Sequence, residues 1–85
     1  MSAAFTPIGE ATVVTISSTV DLLVNFSGYP KLYIQAQGGD ARYSFGANDP
    51  GTTLFVLVTN DARVFDVNTP YLKFKGTTLL VQPGE

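Results

Sequence analysis

Apolar and polar side chains alternate with a period of two along most of this chain. Leu32, Ile34 and Ala36 fall on one side, and Lys31, Tyr33, Gln35 and Gln37 on the other. After Gly38-Gly39-Asp40 the alternation resumes, with Ala41, Tyr43 and Phe45 opposite Arg42 and Ser44. Strand side chains point alternately to the two faces of a sheet, so each arm reads as a strand. Gly38 and Gly39 can take the positive φ that a tight turn needs. Residues 31–46 therefore predict a β-hairpin at the centre of the fold.

The same period recurs elsewhere. Residues 11–17 are rich in β-branched side chains, which suit a pleated surface, and Thr12, Val14 and Ile16 share one face. Ser17, Ser18 and Thr19 make a turn. Residues 20–26 predict a strand with Val20, Leu22, Val24 and Phe26 inward and Asp21, Leu23 and Asn25 outward. Ser27-Gly28-Tyr29-Pro30 feeds the central hairpin, and residues 46–51 form a longer turn of Gly, Asn, Asp and Pro. Residues 52–59 are apolar on both faces: Leu54, Val56 and Val58 face one way, Phe55 and Leu57 the other. Such a strand is expected to be covered on both sides. Shorter strands follow at 63–67 (Phe65 and Val67 on one face), 71–75 (Leu72 and Phe74 inward) and 78–82. No 3.6-residue apolar period with caps occurs, so little or no helix is expected. Residues 1–10, punctuated by Pro7 and Gly9, read as an N-terminal arm, and 11–85 as a single β domain. About eight short strands separated by regular turns predict an all-β fold: a compact antiparallel β-sandwich, reduced and jelly-roll-like, with a small β-barrel as the alternative.

Composition adds a second layer. Hydrophobic residues make up 45% of the 85, but charged residues only 14%, against roughly 25% in a typical soluble domain. A small domain has a high surface-to-volume ratio, so low charge predicts that other chains cover part of its surface. The five basic residues (Lys31, Arg42, Arg63, Lys73, Lys75) are spread along a chain of net charge −2. A nucleic-acid surface needs a basic stripe, and none is legible here, so no nucleic-acid partner is expected. The longest apolar runs are too short to cross a bilayer as a helix. Met1 to Pro7 carries no basic n-region and no h-region, so synthesis in a cytoplasm is expected, with no membrane partner.

Chemistry is scarce. There is no cysteine and no histidine, which removes the disulfide, the thiolate ligand and the commonest general base. No Gly-x-Ser-x-Gly elbow occurs, and Gly38-Gly39 lacks the lysine and helix of a phosphate loop. Asp21, Asp40, Asp49, Asp61 and Asp66 are candidates for a paired-carboxylate site, but almost all lie in turn signals, where Asp bonds local backbone N–H groups. Asn48, Asp49, Asn60 and Asp61 offer oxygens suited to calcium without a recognised ligand spacing. No enzyme activity, cofactor or metal is expected. Asp40-Ala41-Arg42 recurs as Asp61-Ala62-Arg63, which reads as repeated turn chemistry more readily than as duplication. Tyr29, Tyr33, Tyr43 and Tyr71 could form a binding platform. From outward-facing apolar placement, the expected partner contacts are Phe5 and Ile8 in the arm, with Leu23, Tyr33, Phe55 and Leu57 in the domain.

One resemblance bears on function. The chain contains Ala41-Arg42-Tyr43-Ser44-Phe45-Gly46, then Asp49-Pro50-Gly51, then Arg63-Val64-Phe65, and ends in Gly76-Thr77-Thr78-Leu79-Leu80-Val81-Gln82-Pro83-Gly84-Glu85. This order of strands and turns, covering residues 32–85, resembles a group of small virion-associated proteins of tailed bacteriophages. The resemblance implies a structural part of the particle: a capsid cement or decoration protein on the major capsid protein lattice, homo-oligomeric and often trimeric. The expected location is then the virion, after synthesis in the host cytoplasm. The alternative is a tail- or head-fibre-type module that recognises a host-surface glycan or protein.

Overall fold

The structure is a computed structural model and describes residues 5–16, 19–26, 28–45, 55–69 and 71–85. The expected strand start at 52–54, the whole turn at 46–51, and Ser17, Ser18, Ser27 and Pro70 lie outside the described residues. Among the described residues there are eight strands: β1 (Thr12–Val14), β2 (Val20–Asp21), β3 (Lys31–Gln37), β4 (Ala41–Ser44), β5 (Val56–Leu57), β6 (Ala62–Asp66), β7 (Lys73–Lys75) and β8 (Thr78–Gly84). One helical turn, α1 (Leu22–Asn25), follows β2.

The strands form two antiparallel four-stranded sheets, ordered β1-β8-β3-β6 (sheet A) and β2-β7-β4-β5 (sheet B). The pairing has a simple origin. β1 pairs with β8, β2 with β7, β3 with β6 and β4 with β5, which is what a chain folded in half between β4 and β5 must do. Rolling that double ribbon on itself adds the pairs β3·β8 and β4·β7. A rolled ribbon of this kind is the eight-stranded jelly roll, so the expected sandwich is the observed architecture.

The central hairpin does not form. β3 lies in sheet A and β4 in sheet B, so residues 38–40 cross between sheets. The alternation placed Leu32, Ile34, Ala36, Ala41 and Tyr43 correctly, all buried, but not Phe45, which lies just past the end of β4 and is 36% exposed. Alternation cannot distinguish two arms side by side in one sheet from two arms facing each other across a core. Here the cross-core option wins, because β3 gains β6 and β8 as neighbours while its apolar face meets that of β4. The β5–β6 and β7–β8 connections also cross between sheets, and the three crossings are knitted together. Thr77 Oγ1 donates to the Gln37 carbonyl (2.8 Å). Thr59 donates to the Asp40 carboxylate through its backbone N (2.8 Å) and its hydroxyl (2.9 Å). Asn60 N donates to the Ala36 carbonyl (2.8 Å). The two Asp-Ala-Arg segments each lead from such a crossing into a strand, β4 or β6.

A second correction concerns residues 20–26. Only β2 is extended; the chain then makes α1, capped by the Asp21 side chain, which accepts from Leu23 N at 3.1 Å. Leu22 and Phe26 are both buried, four residues apart, whereas Val24, expected inward, is 75% exposed. Asp is a favoured N-cap, and a helical turn puts i and i+4 on one face, so the local capping bond overrides the period-two pattern. Leu23, expected outward, packs partly buried against the core.

Tyr43 anchors the core. Its ring stacks on Phe74 (centroids 5.4 Å) and meets Phe65 edge-on (5.0 Å), between Leu32, Ile34, Leu72, Leu79 and Val81, all fully buried. Each such side chain contributes roughly 1.5–3 kcal/mol of transfer free energy.

Candidate functional site

The outer face of sheet A sets apolar side chains among amides. Register fixes its rows: Val13, Leu80, Gln35 and Ala62 lie side by side, as do Gln82, Tyr33 and Val64. Lys31 and Asp66 face each other at one end, so the two charged strand residues on this face among the described residues are of opposite sign. Val13 is 59% exposed.

The described part of the arm lies on this face. Thr6 N donates to the Glu85 carbonyl (2.7 Å), Glu85 N to the Thr6 carbonyl (2.9 Å) and Ile8 N to the Pro83 carbonyl (2.9 Å). The arm therefore extends the row begun by β1 along β8. Gln82 Nε2 donates to the Gly9 carbonyl (3.2 Å) and the Pro83 carbonyl (2.8 Å). Phe5 lies 6.0 Å from Tyr33, ring to ring. Together with Pro7, Ala11, Leu80 and Gln82 these two rings line a shallow groove of about 310 Å³.

A second cavity, of about 290 Å³, opens where the two sheets end at β5 and β6. It is lined by Tyr43, Phe45, Phe55, Arg63, Phe65, Asp66 and Thr69, among others. Phe55 stacks on Tyr43 (5.4 Å) and meets Phe45 edge-on (5.7 Å). Arg63 Nη1 donates to the Tyr43 hydroxyl at 2.6 Å, so the one polar atom of the core tyrosine is bonded at the cavity wall.

The expected contact residues separate on this geometry. Phe5, Ile8 and Tyr33 are on or beside the sheet A face, with Ile8 38% exposed. Phe55 is half-exposed, but in the second cavity, far from a shared row with Tyr33. Leu57, expected outward, is a core residue at 3% exposure, and Val58 on the opposite face of that segment is the exposed one. Both faces of the segment are apolar, so alternation carried no information about which would be covered. The pairing of β5 with β4, which sets Leu57 opposite the buried Ala41, decided it. The tyrosines form no common platform: Tyr43 is in the core, Tyr33 on sheet A, Tyr29 partly buried and Tyr71 beside Lys73. Asn60 and Asp61 are turn residues, and Asn48 and Asp49 lie outside the described residues. Among the described residues no three His, Cys, Asp or Glu side chains cluster as metal ligands.

Sequence reading missed one grouping. Arg42, Lys73 and Lys75, spread along the chain, stand together on the outer face of sheet B. The only signal was their outward parity in two separate strands, and nothing in the sequence showed that those strands pair. No protein-family model, curated protein or solved structure matches this chain.

Proposed function

We propose that this chain is a non-enzymatic structural subunit of a tailed-phage particle, a capsid cement or decoration protein that binds the major capsid protein lattice and stabilises the head. The observation that carries this reading is the sheet A face: Val13, Tyr33, Val64 and Leu80 among amides, with its two charges opposed. The molecule measures 31 × 26 × 26 Å, so one broad face is on the order of 800 Å², the share each partner contributes to a standard interface. A face of no net charge, with apolar side chains set among amides, favours burial against another protein surface over solvation. The phage resemblance of residues 32–85 supplies the particle. The jelly roll is compatible with it but hosts many functions, and adds fold-level analogy only. Copies on a repeating lattice would act as clamps, each weak contact multiplied by the number of copies engaged. The subunit would itself be a homo-oligomer, with a trimer favoured.

The test is co-sedimentation of the purified protein with emptied capsids of a tailed phage, alongside its own sedimentation profile. Saturable capsid binding that is lost in Val13→Asp, a change at an exposed site, supports the reading. A monomer without capsid affinity at micromolar concentration defeats it.

The second cavity favours one other reading, a host-surface glycan module. Exposed Phe45 and Phe55 rings beside Arg63, Asp66 and Thr69 offer a stacking surface with polar groups at its rim. A glycan array with signal abolished by Phe55→Ala would select that reading.

A further inference from the structure

The outer face of sheet B differs from that of sheet A. Arg42 on β4 and Lys75 on β7 are directly opposed in register, and Lys73 stands two residues along β7, opposite Ser44. All three alternate with buried residues, Tyr43 on β4 and Phe74 on β7, so they share the face away from the core. Like charges directly opposite each other weaken an antiparallel pair. Here the repulsion is offset only in part among the described residues: neither Arg42 nor Lys75 makes a hydrogen bond or an ion pair with one of them. Asp40 acts on Arg42 only through space. Lys73 is engaged otherwise, its ammonium 5.4 Å from the Tyr71 ring. In a chain with five cations in all, three on one face, two of them opposed, is an arrangement the fold does not require. Threonine or glutamine would serve the same outward positions without repulsion.

We propose that this face is a docking site for an acidic segment of a protein partner, whose Asp or Glu carboxylates sit between Arg42 and Lys75 with Lys73 alongside. Carboxylates placed there would offset the repulsion between the two cations, which is the complementarity the free protein lacks. The boundaries of the patch select the partner class. Asp21 lies opposite Lys73, and Asp40 immediately precedes β4. A continuous phosphate backbone, with a charge every ~1.7 Å of duplex, would run into these carboxylates on both sides. A short acidic protein segment fits between them. The face is separate from that of sheet A, and the inference stands whether or not the particle assignment holds.

The experiment is an NMR titration of the whole chain with acetyl-tetraglutamate amide, with a thymidine octanucleotide as the competing class. The expected result is saturable amide shifts confined to Arg42, Ser44, Lys73 and Lys75, weakened about fivefold or more by roughly 0.3 M salt. The double variant Arg42→Gln/Lys75→Gln should lose about tenfold or more in affinity while its melting temperature stays level or rises, because a like-charge pair has been removed. Four results overturn the proposal: no saturable shift below about 10 mM peptide, shifts unchanged in the double variant, tighter binding of the oligonucleotide, or a lowered melting temperature in the double variant. Self-association through these residues in place of peptide binding overturns it as well.

Discussion

Phe5 lies across Gly84 so closely that a Cβ built on Gly84 would sit 2.5 Å from Cε1 and Cζ of the Phe5 ring, and 2.5 Å from the Thr6 carbonyl oxygen. The arm is seated on the last strand because that strand has no side chain at this point. Gly84→Ala should push the arm off, costing about 1–3 kcal/mol as an overpacked contact. Urea midpoints measured in a double-mutant cycle with Phe5→Ala check the origin of the loss: the cost of Gly84→Ala should shrink when the ring is absent. Equal costs in both backgrounds would assign the effect to Thr6 alone.

Gly76 connects β7 to β8 with φ at +130°, and a Cβ there would come 2.9 Å from the Asp40 carbonyl oxygen. Two sheet crossings touch at this point. Gly76→Ala should lose about 1–3 kcal/mol from the strained conformation alone, and the steric contact adds to it. Thermal unfolding of the variant measures the effect, and an unchanged midpoint would contradict the close approach of the two crossings.

Tyr43 has two separable roles. Its ring fills the core, and its hydroxyl accepts from Arg63 at the cavity wall. Tyr43→Phe keeps the ring and should cost only about 0.5–1.5 kcal/mol. Tyr43→Ala opens a large cavity and should cost about 3–5 kcal/mol. Chemical denaturation of both variants gives the comparison, and similar losses would mean the hydroxyl bond, not packing, dominates.

The Asp40 carboxyl is held below its ordinary value of 3.8, first by the Thr59 backbone N–H and then by the Thr59 hydroxyl. A depressed folded-state value stabilises the protein above the unfolded value, and the benefit disappears as pH falls through the folded one. The wild type should therefore lose stability on the acid side of about pH 4 more steeply than Asp40→Asn, whose uncharged side chain has no proton to gain. Denaturation midpoints from neutral to acid pH decide it, and parallel profiles for the two proteins would remove Asp40 from the acid response.

Much of the fold was legible because alternation is a local property. Each strand residue points to one of two faces, and an uninterrupted polar–apolar pattern such as 31–37 shows which is buried before any partner is known. That is why Leu32, Ile34, Ala36, Leu72 and Phe74 were placed correctly. Where the pattern was ambiguous, local reading failed. The segment containing Phe55, Leu57 and Val58 is apolar on both sides, and only the pairing of β5 with β4, which sets Leu57 opposite the buried Ala41, made Leu57 core and left Val58 exposed. At 20–26 the alternation was clear yet overridden, because the Asp21 cap and the Leu22–Phe26 spacing satisfied a helical turn equally well.

By itself, then, the sequence determined the class of fold, the inward face of most strands, the turn positions and the shortage of charge. Tertiary structure decided which strands are neighbours. It turned the expected hairpin at 31–46 into a crossing between sheets, laid Phe5 on Gly84, and brought Arg42 and Lys75 into opposition. The reason is that strand pairing is satisfied by backbone hydrogen bonds that any sequence can make. The choice of partner therefore depends on how all the apolar faces can be covered at once, a property of the whole chain that no single stretch contains.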